Sequence, residues 1–204
     1  MKRLLLSALV LALLATGGVA RAAQSSQSAQ GNDKTPPSYD MKPQSLQDLE
    51  NLHKKFVSLA EAIPAGKYNW RPSEGARSFA EVFLHVSGER YQILNLMGTP
   101  LPSGFDGKTF EKSTTDKAQI IDQLNRSWDY AKAAINGMTN ADFAKPLPKL
   151  GPDANAGDVV YILVADAHEH LGQSIAYARV NGVVPPWTVA AQKAAEKKDQ
   201  PQKQ

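Results

Sequence analysis

The sequence contains no cysteine among its 204 residues. That absence excludes a disulfide framework, a thiolate nucleophile, a zinc-ribbon site, a cysteine-ligated iron–sulfur cluster and a lipidated cysteine anchor. Net charge is also scarce once the start of the chain is set aside. The formal balance is +3, but Lys2, Arg3 and Arg21 stand in a stretch, 1–22, that holds no acid, and removing their three charges leaves zero. Phosphate neutralisation needs a basic excess, so nucleic-acid binding by bulk electrostatics loses its basis. No stretch alternates apolar and polar residues for long enough to read as a strand. No apolar run reaches the roughly 20 residues that cross a bilayer comfortably. With 42% hydrophobic and 21% charged residues the chain nevertheless has an ordinary globular balance, which excludes a wholly disordered protein.

Residues 1–22 read as a secretory signal. Lys2 and Arg3 form a charged start, Leu4 to Ala15 is apolar apart from Ser7, and Ala20 and Ala22 are the small residues a signal peptidase reads. Cleavage is expected between Ala22 and Ala23, giving an exported, periplasmic protein; an uncleaved N-terminal anchor is the alternative. Residues 23–40, rich in Gln, Ser, Asn and Pro, read as a flexible leader. Residues 188–204, polar and Lys-rich, read as a disordered tail with too little apolar surface to offset ordering entropy. The folded unit is expected over 41–187.

Within that unit a helical period appears four times. Leu46, Leu49, Leu52, Phe56, Leu59 and Ile63 recur at steps of three and four, with Ser45 as cap and Pro64 as stop. Ser78 opens the second helix, with Glu81 completing a capping box, and Gly98 and Pro100 close it. The third spans about Thr115 to Met138 on Ile120, Ile121, Leu124, Trp128, Ala131 and Ile135. The fourth runs from near Gly157 to Val180 and stops at Asn181-Gly182 and Pro185-Pro186. The fold class is all-α, a four-helix bundle.

The fourth helix holds the informative residues. At about 100° per residue with Val159 at zero, Ile162, Leu163, Tyr177 and Val180 fall within about 60° and define the expected buried stripe. Asp166 at about 340°, His170 at about 20° and Gln173 at about 320° point into it, whereas His168 at about 180° leaves on the opposite side with Tyr161 and Arg179. A carboxylate and an imidazole on an apolar face need a partner, because desolvating an unpaired charge is costly. Asp166 and His170, at i and i+4, either hydrogen-bond each other or share a divalent metal such as zinc, nickel, iron or manganese. A metal needs a further ligand from another helix. His85, midway along the second helix beside Glu89, is the leading candidate, a surface histidine being the alternative. His53 is a distant fourth candidate, on an edge that Lys54 and Lys55 mark as solvated.

The segments YNWRPSEGARSFAEVFLHVSGERY and HEHLGQSIAYARVNGVVPPW resemble the DinB-like superfamily, the DinB/YfiT group, over about 46–187. The resemblance implies a four-helix bundle that binds a divalent metal, commonly through one histidine of the second helix and two, four apart, of the fourth. His85 matches the first of these and His170 the last. Asp166 stands where the middle histidine is expected. That departure gives either a two-histidine, one-carboxylate site favouring harder metals such as iron or manganese, or a weakened or lost site. Trp70 and Pro72 are expected to close the loop beneath the bundle, and Gly182, Pro185, Pro186 and Trp187 to seal the end of the fourth helix.

The family includes thiol-dependent S-transferases and a maleylpyruvate isomerase. The resemblance therefore implies a metal-dependent enzyme with transferase or hydrolase-like chemistry at His85, Asp166 and His170, using one divalent ion. No catalytic residue is assigned beyond Glu89, a candidate partner or base whose alternative is a solvated salt bridge with Arg or Lys. The competing functions are a non-catalytic envelope protein that binds a small molecule and a degenerate, metal-free family member. Export weighs against the thiol-transferase chemistry, since small thiols are chiefly cytosolic. The expected partner is a small-molecule substrate or ligand, with no nucleic acid and, after signal cleavage, no membrane; a homodimer is left open.

Overall fold

The computed structural model describes residues 40–199. The expected signal 1–22, its cleavage site, nearly all of the leader and the last residues, 200–204, lie outside the described residues. Among the described residues six α-helices follow in order: α1 (Met41–Ala62), α2 (Phe79–Asn95), α3 (Lys117–Asn136), α4 (Asn140–Phe143), α5 (Ala156–Val180) and α6 (Pro186–Asp199). Among the described residues there is no β-strand, only one isolated bridge between Pro146 and Asn155. No described helix is long and apolar enough to cross a membrane.

The helix starts follow from side chains that accept the free backbone N–H groups of a first turn. Ser78 and Glu81 form the expected capping box of α2, and Asn155 with Asp158 forms a second at α5. The first helix starts earlier than expected: Asp40 is its cap, and Ser45 lies buried inside it. Asp40 accepts from Lys42 N, and the apolar period, which begins only at Leu46, carries no mark of the polar turn before it.

The tail is corrected over 188–199, where the chain forms α6 instead of a frayed segment. Pro186 sits at its first position, where a missing N–H costs nothing. Trp187 packs against the core and lies beneath Lys55, whose Nζ is 5.7 Å from the ring centre.

The bundle consists of α1, α2, α3 and α5. The first helix packs on α3 and α5, and α2 packs on the same two, so α1 and α2 face each other across the diagonal. Two lysines register α1 against an antiparallel α3. Lys42 Nζ donates to the carbonyls of Asn136 and Met138 at the end of α3, and Lys117 Nζ donates to those of Glu61 and Ile63 at the end of α1. Both satisfy carbonyls that a helix end leaves without partners. Phe56, Phe79, Phe83, Leu84, Leu124 and Val159 are fully buried at the centre.

The buried stripe of α5 differs from the sequence expectation. Val159 and Leu163 are buried, but so are Val160, Ala167, Leu171 and Ala178, while Ile162 and Val180 are 44% and 74% exposed. The stripe is rotated by about 70° toward Val160 and Leu171. Small residues at Ala167, Ser174 and Ala178 let the neighbouring helices approach on that side, a preference that a wheel built on large apolar residues does not register. The rotation leaves Asp166 at the rim of the bundle instead of in its centre.

Candidate metal centre

Because α2 and α5 are neighbours, the middle of one helix meets the middle of the other. His85 of α2 and Asp166 and His170 of α5 converge there, each offering one ligand atom, and the three atoms lie within 4.8 Å of one another. His170 Nε2 and Asp166 Oδ1 are 3.3 Å apart, a separation that two ligands of one ion take. The His85 and His170 rings meet edge to face with centres 4.6 Å apart. A simple carboxylate–imidazole pair on α5 would not need that second imidazole. The three side chains are 16%, 19% and 10% exposed, in the order His85, Asp166, His170, so the cluster can be reached from solvent.

Each imidazole has an oxygen partner at Nδ1. His170 Nδ1 lies 2.9 Å from Gln173 Oε1, and Gln173 Nε2 donates to Tyr177 Oη at 3.0 Å. His85 Nδ1 lies 3.2 Å from Glu111 Oε2. The two Nε2 atoms are left for the centre. Asp166 and Gln173 hold the His170 pKa above its usual value despite burial, since both ring nitrogens face oxygen acceptors. His85 goes the other way: burial, Arg77 and the neighbouring His170 lower it and keep the ring neutral, the form that ligates a metal.

Glu89 completes the surroundings. Its carboxylate Oε1 is 3.9 Å from His85 Nε2, and no Lys or Arg among the described residues pairs with it within 4.0 Å. Burial, then the charge of Asp166, push its pKa up. Asp166, Glu89 and Glu111 thus surround two imidazoles, with Arg77 bonded to Glu111 at 3.0 Å. That surplus of carboxylate, with nitrogen and oxygen donors converging on one point, fits a divalent cation.

Two other histidines lie elsewhere. His168 is exposed on the far side of α5. His53 is not on a solvated edge and is not in the cluster: it is half-buried and stacked on Trp128, ring centres 5.6 Å apart and planes 20° from parallel. The flank of α1 that carries it packs against α3, which the neighbouring lysines do not reveal. Trp70 closes the base as expected, packed on Phe79 and Tyr177 with ring centres 5.7 and 5.4 Å away.

A model of the DinB superfamily matches residues 48–174 of the sequence. The chain belongs to the DinB superfamily. No curated protein sequence matches it. Two solved structures share the fold. One is a conserved protein from Enterococcus faecalis, 15% identical, with a TM-score of 0.57 over 70% of this chain and 97% of that one. The other is YfiT from Bacillus subtilis, 17% identical, with a TM-score of 0.55 over 76% of this chain and 96% of that one. YfiT is described as "a probable metal-dependent hydrolase with an unusual four-helix bundle topology".

Glu111, Gln173 and Tyr177 extend the site beyond its three candidate ligands. The helical period had already placed Gln173 and Tyr177 on the inward face. Glu111 carries no such signal, because it lies in the long connection between α2 and α3, on a single 3₁₀ turn over Phe110–Lys112.

Proposed function

We propose that His85, Asp166 and His170 bind one divalent metal ion and that the chain is an exported, metal-dependent enzyme of hydrolase-like chemistry. The observation that carries this reading is the convergence of the three ligand atoms within 4.8 Å from two neighbouring helices. The ion would supply Lewis acidity and lower the pKa of a coordinated water. The protein's own residues do the rest. Gln173 orients His170, and Glu89, half-buried and with its pKa raised, accepts a proton at Oε1 beside the centre. A small-molecule substrate would approach from the side of Asp166, the most exposed of the three candidate ligands. The leading residues 1–22 support export to the periplasm, where hydrolytic chemistry needs no small-thiol cosubstrate.

Metal analysis of untagged protein, followed by calorimetric titration with zinc, nickel and manganese, tests the reading. Binding of one ion per chain is expected. Asp166→His should retain binding and shift preference toward zinc and nickel, since imidazole replaces a harder carboxylate. A wild-type protein that binds none of the three metals would remove the proposal.

A further inference from the structure

The connection between α2 and α3 is docked onto α2 along its length. Tyr91 of α2 packs edge to face on Phe105 and Phe110 of the connection, ring centres 5.2 and 6.0 Å away, and on Tyr130 of α3 at 5.0 Å. Tyr130 Oη donates to the carbonyl of Pro100, fastening the near end. Two glycines allow the close approach. A Cβ on Gly88 would stand 3.2 Å from the Phe110 ring, and one on Gly107 would stand 2.8 Å from Gln92 Oε1. The space left between the connection and α2 beside His85 is about 20 Å³, enough for one water and too small for a substrate.

This docking delivers one carboxylate oxygen to His85. Glu111 Oε2 stands 3.2 Å from His85 Nδ1 and accepts from Arg77 Nε at 3.0 Å. Arg77, immediately before the cap of α2, therefore holds the carboxylate from one side while His85 meets it from the other. An ionised carboxylate can only accept, so one standing 3.2 Å from Nδ1 favours placing the proton of a neutral His85 on that nitrogen. The lone pair then sits on Nε2, on the side where Asp166 and His170 converge.

We propose that Glu111 is a positioning residue: carried by the docked connection, it holds His85 as the Nδ1–H tautomer and aims Nε2 at the metal-binding centre. The inference rests on the metal-centre reading for its purpose, but its tautomer claim is measurable without any metal. Hydrogen-bonded carboxylates behind a ligating imidazole fix its tautomer and orientation, and losing one typically lowers metal affinity about 10- to 100-fold.

The test uses the full chain as wild type, Glu111→Gln and Glu111→Ala, with helix content checked by circular dichroism. Imidazole nitrogen-15 shifts are recorded at pH 7.5 without metal, and zinc affinity is then titrated. Wild-type His85 should show a protonated Nδ1. Glu111→Ala should move His85 toward the Nε2–H form, leave the His168 signals unchanged and weaken zinc binding about 10- to 100-fold. Glu111→Gln keeps an acceptor oxygen and should largely preserve the Nδ1–H tautomer. A wild-type His85 protonated on Nε2, or a tautomer that Glu111→Ala leaves unchanged, overturns the proposal. A wild type with the Nδ1–H tautomer but no affinity for zinc, nickel or manganese instead overturns the metal-centre reading and leaves the Glu111 contact standing.

Discussion

Two polar regions of the bundle are built in opposite ways. At the rim between α2 and α5, the polar atoms come in partnered sets: Arg77 with Glu111 and His85, Asp166 with His170, and His170 with Gln173 and Tyr177. In the interior, Arg90 of α2 is 1% exposed and has no carboxylate within 4.0 Å among the described residues. Its Nη1 donates to the Leu124 carbonyl and to Ser127 Oγ, but Nε and Nη2 find no protein partner. His53 Nδ1 is likewise buried without one. Burial holds His53 down to about 4, with the Arg90 charge adding to the effect, and burial holds Arg90 down to about 10. The rim has the pairing that chemistry requires. The interior carries a desolvated charge that opposes stability.

The sharpest way to break the contrast is at the rim. His170→Ala removes a candidate ligand and should lower metal affinity by more than about 100-fold, beyond the usual loss from a supporting residue. His168→Ala, altered on the exposed side of the same helix, should change affinity less than about twofold. Calorimetric titration compares them. A His168→Ala protein that loses metal as fully as His170→Ala would sink the assignment.

The interior should respond in the reverse sense. Arg90→Met replaces a buried charge by an apolar chain of similar length, and it strands no acceptor, because Ser127 Oγ still donates to the Leu124 carbonyl. Urea unfolding should show a gain of about 1–3 kcal/mol. Arg90→Ala should show a loss of about 2–4 kcal/mol through the cavity it leaves. A large loss in Arg90→Met would mean that the guanidinium stabilises the core.

The smallest effect is a pH dependence. The His53 pKa is depressed in the folded state from 6.5 to about 4, so the folded chain binds fewer protons than the unfolded one across that interval. Its contribution to stability is full above about 6.5 and is lost as the pH falls toward about 4. His170, raised above 6.5, acts in the opposite sense at higher pH and contributes little slope in this interval. His53→Gln should therefore flatten the stability profile between pH 4.5 and 6.5 relative to wild type, read from unfolding midpoints. Arg90→Met should flatten it partly, by removing the charge that disfavours a protonated His53. Equal slopes in all three proteins would show that His53 is not the group responsible.

What the sequence determined by itself was local. The Ser78–Glu81 box, the stops at Pro64 and Gly182, and the apolar periods of α1, α2, α3 and α5 act over three or four residues. The pairing of Asp166 with His170, and the separation of His168 from both, follow from one helical turn. His85 was the leading third ligand from its place midway along the second helix, and the resemblance of the motifs agreed with it. Tertiary structure decided the rest. The rotation of α5 depends on which helix packs against its small residues, so Asp166 came to the rim. Arg90 looks like an ordinary solvated arginine in sequence, and only its place between α2 and α3 makes it a buried charge. Glu111 lies 26 residues beyond His85 in a connection without period. Its approach depends on Gly88, Gly107 and an aromatic cluster closing in space, and contacts between residues so far apart leave no mark in local spacing.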